Sequence, residues 1–119
     1  MSTQNDNSRT FPANAAMTQF RRVALSENGG VAHADNTVAG IGVIQRDAVA
    51  DDTYGAVVRL RGAGSYKIAI TAAPVTAGNL LYAGANGYAA PTGTVSLALE
   101  AAENAGENGA IIEAIPRFT

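Results

Sequence analysis

The sequence is poor in the residues on which most protein chemistry depends. It has no cysteine, no tryptophan, a single histidine and a single lysine. Without cysteine there is no disulfide bond and no thiolate nucleophile. One histidine also argues against a structural zinc site, which usually draws on several Cys or His ligands. The composition therefore points away from metal and thiol chemistry.

A strong charge and a long apolar run are also missing. The formal net charge is −2 at pH 7, whereas a nucleic-acid binder needs a basic surface to neutralise phosphates. No apolar run approaches the roughly 20 residues with which a helix crosses a bilayer. The opening segment MSTQNDNSRT lacks the basic-then-apolar order of a signal peptide. We therefore expect synthesis in the cytoplasm, and neither nucleic acid nor a membrane as a partner.

Short alternating segments separated by turns make up most of the chain. SYKIAIT (65–71) and TVSLALE (94–100) alternate large apolar side chains with polar or small ones, as half-buried strands do. Asn-Gly pairs favour hairpin turns, since both residues tolerate positive φ. LALEAAENAG (97–106) alone competes as a helix, and one helical turn there remains open. Several short strands between turns predict an all-β fold, a small β-sandwich or barrel.

An internal repeat is visible in the sequence. A shift of 57 residues lays the segment starting at Val23 onto the segment starting at Leu80, and Gly30 then meets Gly87. Both segments contain a strand, an Asn/Gly turn, a short strand, a longer strand, an acidic loop and a final strand. Self-similarity at a fixed spacing indicates copies of one structural unit. We therefore predict a fold built from two similar strand-turn-strand units.

The predicted organisation is an extended N-terminal arm followed by one β domain. Residues 1–19 are polar and without a period, which is typical of an arm. Residues 20–119 form the β domain, in which the repeat covers approximately 20–62 and 79–116. Three apolar residues of the arm are candidate contacts with a neighbouring subunit: Phe11, Pro12 and Met17.

The single histidine offers little support for catalysis. His33 lies at the end of a short predicted strand, ahead of Asp35. A catalytic dyad would also need a nucleophile and an oxyanion site, and the chain has no cysteine and no distinctive serine motif. A solvated histidine at a strand end is the common case. We therefore expect no enzymatic activity.

Two acidic loops are the remaining candidates for metal chemistry. Oxygen ligands on a mobile loop suit calcium. However, neither DAVADD (47–52) nor ENAGEN (103–108) has the ligand spacing of a known calcium loop. Solvated turns between strands explain the same residues. We expect no metal and no cofactor, with calcium binding as the open alternative.

The lone lysine is a possible attachment site for lipoate or biotin. Carrier domains built from two β units present such a lysine at the tip of a tight hairpin. Lys67 instead lies within a predicted strand, between Tyr66 and Ile68. The alternation therefore favours an ordinary strand residue.

Five basic residues form a candidate contact surface on the β domain. The alternation places Arg59, Arg61 and Lys67 facing outward on adjoining strands, with Arg21 and Arg22 nearby. A solvated sheet face explains such a cluster. The alternative is a patch that pairs with an acidic surface on another protein, which gives orientation more than affinity.

Three segments of the β domain resemble a known family. They are VAGIGVIQRDAVADDTYGAVVRLRGAGSYKI (38–68), VTAGNLLYAGANGYAAPT (75–92) and VSLALEAAENAGENGAIIEAIP (95–116). Together they resemble the capsid cement, or head-decoration, proteins of tailed bacteriophages. The resemblance covers about residues 20–116 and rests on turn placement and the small-residue style. No functional residue is carried over, because the family has no site motif to match.

The resemblance implies a structural protein rather than an enzyme. Cement proteins are small β domains that bind the outer surface of the capsid and clamp neighbouring subunits of the major capsid protein. The resemblance therefore implies a virion protein made in the host cytoplasm, which self-associates as a homotrimer in preference to a homodimer.

An alternative of another class is a soluble ligand- or glycan-binding β module. Such a module would need an aromatic platform, which only four tyrosines could supply: Tyr54, Tyr66, Tyr82 and Tyr88.

Overall fold

The structure consists of two antiparallel β-sheets. The computed structural model describes residues 8–51, 54–62 and 64–117. Within these ranges the strands are β1 (Ser8–Phe11), β2 (Arg22–Leu25), β3 (Val31–His33), β4 (Gly42–Ile44), β5 (Ala56–Leu60), β6 (Tyr66–Ala69), β7 (Leu80–Ala83), β8 (Ala89–Ala90), β9 (Ser96–Ala101) and β10 (Ile111–Pro116). The prediction of an all-β fold is confirmed. The segment 97–106 forms the end of β9 followed by bends and a short bridge, and no helical turn.

The two sheets have the same topology. Their strand orders are β1-β5-β4-β2-β3 and β6-β10-β9-β7-β8, so each strand of the second sheet lies five places later in the chain than its counterpart. We call residues 8–61 unit 1 and residues 66–117 unit 2. Connections outside the strands repeat as well. The Met17 N–H donates to the Ala48 carbonyl at 2.8 Å, and the Val75 N–H donates to the Ala105 carbonyl at 2.8 Å.

Residues 8–19 belong to unit 1, which corrects the predicted arm and the predicted start of the repeat. β1 pairs with β5, and Phe11 lies opposite Ala56. Phe11 and Met17 are 7% and 4% exposed, within the core of unit 1. Burial of such side chains contributes about 1.5–3 kcal/mol each, which fixes the segment to the sheet. Residues 1–7 of the predicted arm lie outside the described residues.

The hairpin turns set the spacing of the repeat. Among the described residues each unit has one 3-10 turn, at Glu27–Gly29 in unit 1 and at Ala85–Gly87 in unit 2. Asn28 and Asn86 both take positive φ, at 58° and 55°. Asn28 and Asn86 are 58 residues apart, one more than the 57-residue spacing of the sequence repeat. The left-handed conformation, which Asn and Gly tolerate best, is therefore the feature that aligns the two turns.

Each sheet closes on itself and encloses its own core. The chain leaving β1 forms a parallel bridge from Ala13 to Val31, and the chain leaving β6 forms one from Ile70 to Ala89. These bridges satisfy backbone groups at the edges of β3 and β8, which would otherwise invite pairing with another chain. The core of unit 1 lies within residues 11–58, while the core of unit 2 also includes Val43 of unit 1.

The junction between the units as the candidate functional site

Arg22 occupies the centre of the contact between the two units. Its side chain is 2% exposed, and its guanidinium donates hydrogen bonds to five backbone carbonyls. Three acceptors belong to unit 1 and two to unit 2: Val38 (2.8 Å), Ala39 (3.2 Å), Asp35 (3.1 Å), Gly84 (2.6 Å) and Tyr88 (3.0 Å). An arginine has five N–H donors and no acceptor, so it can join several carbonyls that a buried junction would leave unpaired.

Burial changes the acidity of this guanidinium without neutralising it. Desolvation lowers the pKa of Arg22 to about 10, and the charge of Asp35 partly opposes that shift. The side chain therefore remains cationic at neutral pH. Carbonyl dipoles, rather than a salt-bridged carboxylate, surround the charge, and this arrangement fixes the orientation of unit 2 on unit 1.

The 3-10 turn of unit 2 lies directly against β2 and the end of β3. The Gly87 N–H donates to the Ala34 carbonyl at 2.7 Å. The guanidinium of Arg21 lies 4.1 Å from the ring centroid of Tyr88 and also donates to its hydroxyl. A Cβ at Gly87, whose φ is +82°, would come within 2.7 Å of the Arg22 carbonyl oxygen. The close approach of the turn therefore requires glycine at this position.

The far side of the junction is held by Tyr66 of β6. Its hydroxyl accepts from the Gly62 N–H at 2.6 Å and donates to the Leu60 carbonyl at 3.0 Å. The guanidinium of Arg59 lies 5.6 Å from the Tyr66 ring centroid. Arg61 donates from Nη2 to the Leu97 carbonyl across the junction at 3.3 Å. Unit 2 is therefore anchored at both ends of the contact.

A cleft of about 480 Å³ lies between the units beside Arg22. Its lining is mainly apolar, with contributions from both sheets, and Arg61 and Arg117 add charged side chains. No pair of a nucleophile and a base lies among the residues that line it. Within the described residues, no group of three or more His, Asp or Glu side chains could hold a metal ion.

His33 lies beside the junction as a neutral side chain. Its Nε2 accepts a hydrogen bond from the Thr18 N–H at 3.1 Å, while Nδ1 is buried and has no hydrogen-bond partner. The pKa of His33 is lowered, first by burial and then by the charge of Arg21. A cationic neighbour and a fixed backbone donor suit a structural histidine better than a proton carrier.

Side chains of the acidic loops bind backbone groups of their own units. Asp47 accepts from the Gln19 N–H at 2.8 Å, and Asn104 accepts from the Ala77 N–H at the matching place in unit 2, also at 2.8 Å. Glu103 accepts from the Glu113 N–H at 2.7 Å. These oxygens therefore serve to close the turns.

The contact residues predicted from the sequence differ in location and in exposure. Arg21, Arg22, Arg59 and Arg61 all lie at the junction. Pro12, Arg61 and Lys67 are exposed, and Lys67 pairs with Glu113 across β6 and β10. Phe11, Met17 and Arg22 are buried within the chain. An intramolecular contact covers each of these three side chains, and their contact with a partner stays a prediction.

Sequence reasoning missed the unit 2 half of the junction. The sequence predicts a turn around Asn86 and Gly87, and no periodicity in the sequence indicates what a turn packs against. The available signal was the left-handed glycine that follows Asn86. Of the four tyrosines proposed for a glycan platform, Tyr66 is 3% exposed and Arg21 covers the ring of Tyr88.

No helix among the described residues has the length and apolar character needed to cross a membrane. No family model matches this chain, and no curated protein matches it. Among solved structures, the chain is similar to the crystal structure of the head fiber gp8.5 N base of bacteriophage phi29. The TM-score is 0.75, with 22% sequence identity over 92% of each chain. At this identity the similarity shows that the chain has the fold of that phage head fiber base.

Proposed function

We propose that this protein is a non-enzymatic structural component of a phage virion that binds the outer surface of the capsid. The observation that carries the proposal is the fold shared with a phage head fiber base over 92% of both chains. The resemblance of residues 20–116 to phage cement proteins was reached separately, from turn placement in the sequence. The two lines of support name different head proteins, and both lie on the phage head.

The proposed partner is the major capsid protein, and the proposed action is to clamp its neighbouring subunits. Copies of the protein would also bind one another, as a homotrimer in preference to a homodimer. A capsid offers many identical sites, so contacts that are individually weak can stabilise the whole shell. A rigid pair of closed sheets suits this role, because little conformational entropy is lost on binding.

The exposed members of the predicted contact set are the proposed capsid contacts, and two of the three are basic. Arg61 and Lys67 are exposed, and Pro12 is exposed between β1 and the buried Ala13. Charges at the rim of an interface mainly orient the partners and raise the association rate. We therefore expect attachment to the capsid to weaken as salt concentration rises.

The direct test is the copy number of this chain in purified virus particles from its source. Quantitative mass spectrometry gives the ratio of this chain to the major capsid protein. We expect a ratio of one to one or a simple fraction, since a lattice-bound protein occupies symmetry-related sites. Absence from the particles, or a few copies in each, would contradict the proposal. Removal by a protease that leaves the shell intact would locate the bound copies on the outer surface.

A further inference from the structure

The contact between the two units joins unlike surfaces. Unit 1 contributes a row of side chains across three strands, Arg22, Val43 and Arg59, which we call the covered row. Unit 2 contributes its 3-10 turn and β6, where Tyr66 shares a hydrophobic cluster with Val43. A contact between different surfaces is heterologous, so each partner keeps the surface that the other one uses.

Unit 2 carries the counterpart of the covered row and leaves it open. Leu80, Glu100 and Ile115 are paired across β7, β9 and β10, in the same places as Arg22, Val43 and Arg59 in unit 1. We call this set the open row. In the covered row Arg22 and Val43 are 2% and 3% exposed and Arg59 is half-buried, whereas in the open row Ile115 is 39% exposed and Leu80 and Glu100 are half-buried.

An arginine marks the same border of both rows. The Arg61 N–H donates to the Ile41 carbonyl in unit 1, and the Arg117 N–H donates to the Ala98 carbonyl in unit 2, each at 2.9 Å. Arg61 also donates across the junction to Leu97. Arg117 borders a hollow of about 170 Å³ that is lined by Leu80, Ser96 and Ala98. Unit 2 thus has an arginine at the place of Arg61, and the hollow lies beside it.

Unit 1 carries the counterpart of the inserted surface and leaves that open too. Its 3-10 turn, Glu27–Gly29, is exposed, and Leu25 beside it is 59% exposed. A Cβ at Gly29 would meet no atom within 4 Å, whereas a Cβ at Gly87 would meet Arg22, Arg21 and His33. The two turns therefore share one conformation, and only the turn of unit 2 packs against the other unit.

The charges of the two open surfaces are complementary. Arg9 on β1 pairs with Val58, and Tyr66 on β6 pairs with Ala114, which is the matching position of unit 2. Tyr66 packs with Val43 in the covered row. In an equivalent contact Arg9 would therefore lie beside Glu100, which replaces Val43 in the open row. A cation would meet an anion where the internal contact has an aromatic and an aliphatic side chain.

We propose that a second copy of this chain places its unit 1 on the open row of unit 2, in the geometry by which unit 2 lies on unit 1. The repeated contact extends one head-to-tail series of units from chain to chain, and such a series closes into a ring when the rotation between units allows. The inference rests on the self-association part of the proposed function, and it names the surfaces involved.

The test uses the purified full chain without capsids. Sedimentation velocity and light scattering across a wide concentration range give the mass of the oligomer. We expect Ile115→Asp, Glu100→Arg and Arg9→Glu each to weaken association at least about tenfold. The double variant Arg9→Glu with Glu100→Arg should restore association, because the charges are exchanged rather than removed.

A matched control is Val49→Asp, which also adds an acid to an exposed apolar site but lies in the loop after β4, outside both open surfaces. It should leave association unchanged. Circular dichroism checks that each variant is folded. A chain that is monomeric at every concentration would overturn the inference. An oligomer whose mass and affinity are unchanged by Ile115→Asp would overturn it as well.

The outcome is separable from that of the proposed function. A chain that forms the oligomer through the open row but is absent from virus particles would contradict the capsid role alone. A monomeric chain that is present in particles at a fixed ratio would overturn this inference alone.

Discussion

The two units have the same topology, and they differ in what covers the outer face of the sheet. In unit 1 the position on β2 that faces unit 2 is Arg22, whose guanidinium binds five carbonyls and is buried. In unit 2 the matching position on β7 is Leu80, which is half-buried. The other two matched pairs, Val43 with Glu100 and Arg59 with Ile115, differ as well, so three exchanges of residue type accompany the difference between a covered face and an open one. The comparison indicates that one topology carries two different outer faces, because the residues at matched positions set what each face can contact.

The largest effect on stability is expected when Arg22 of unit 1 is replaced by leucine, the residue at the matching position of unit 2. Arg22→Leu removes the guanidinium donor from five carbonyls, among them the buried Gly84 carbonyl, while the Tyr88 carbonyl keeps the Gly84 N–H as a donor. Unpaired buried groups cost about 1–3 kcal/mol each, so we expect the free energy of unfolding to fall by at least about 3 kcal/mol. Urea denaturation measures the change.

The reciprocal exchange is the control for Arg22→Leu. Leu80→Arg places a charge on a half-buried surface and should change the free energy of unfolding by less than about 1 kcal/mol. A cost below about 1 kcal/mol for Arg22→Leu would show that the carbonyls find other partners, and that Arg22 does not hold the junction.

The next largest effect on stability is expected from glycine substitutions in the two 3-10 turns, and it should differ between them. Gly29→Ala should cost about 1 kcal/mol, since only the positive φ of +73° opposes it. Gly87→Ala adds a close contact with the Arg22 carbonyl and should cost about 2–4 kcal/mol in total. Thermal and urea unfolding of both variants test the difference. Equal costs would mean that the turn of unit 2 does not lie against β2.

The stability of the fold is expected to depend on pH through His33, which lies beside the junction between the units. Because the pKa of His33 is lowered in the folded chain, the folded state favours the neutral imidazole. In the unfolded chain His33 takes up a proton near pH 6.5. Stability is therefore fully present above about pH 6.5 and falls as the pH drops below that value. The melting temperature of the native chain should decrease between pH 7 and pH 5.

His33→Gln is the matched variant, since it removes the titrating group and should flatten the melting temperature over that range. Asp35 also has a lowered pKa, through its hydrogen bonds from Thr37, but it titrates below the ordinary value of 3.8. An unchanged slope in His33→Gln would show that other groups carry the dependence.

The smallest effect on stability is expected at a surface position where the units differ. Lys67 on β6 matches Thr10 on β1, and both are exposed. Lys67→Thr should change the free energy of unfolding by less than about 0.5 kcal/mol. If Lys67 contacts the capsid, the variant should bind capsids more slowly at low salt, while Lys67→Arg should bind normally. Stopped-flow or surface-based rate measurements would distinguish the two variants, and equal association rates would exclude Lys67 as a contact.

Local patterns were sufficient for much of the fold. The alternation in β6 and β9 and the Asn-Gly turns predicted strands in the correct places, because side-chain direction and positive φ are decided within a few residues. β1 was missed because its sequence, SRTF, has one large apolar residue, and a strand with one solvated face requires little more. Arg22 was predicted to lie near the outward-facing basic residues, and it lies in a row with Arg59 on the outer face of its sheet.

The sequence by itself determined the all-β class, the duplication and the positions of the turns, since these depend on periodicity and on residues with special backbone freedom. Only the tertiary structure decided that residues 8–19 complete the first sheet and that the outer face of unit 1 is buried. It also decided that Arg22 of unit 1 binds the carbonyl of Gly84 in unit 2, which lies 62 residues later in the chain. The physical reason is that a contact between two finished sheets depends on surfaces assembled from distant strands, and no local pattern carries that information.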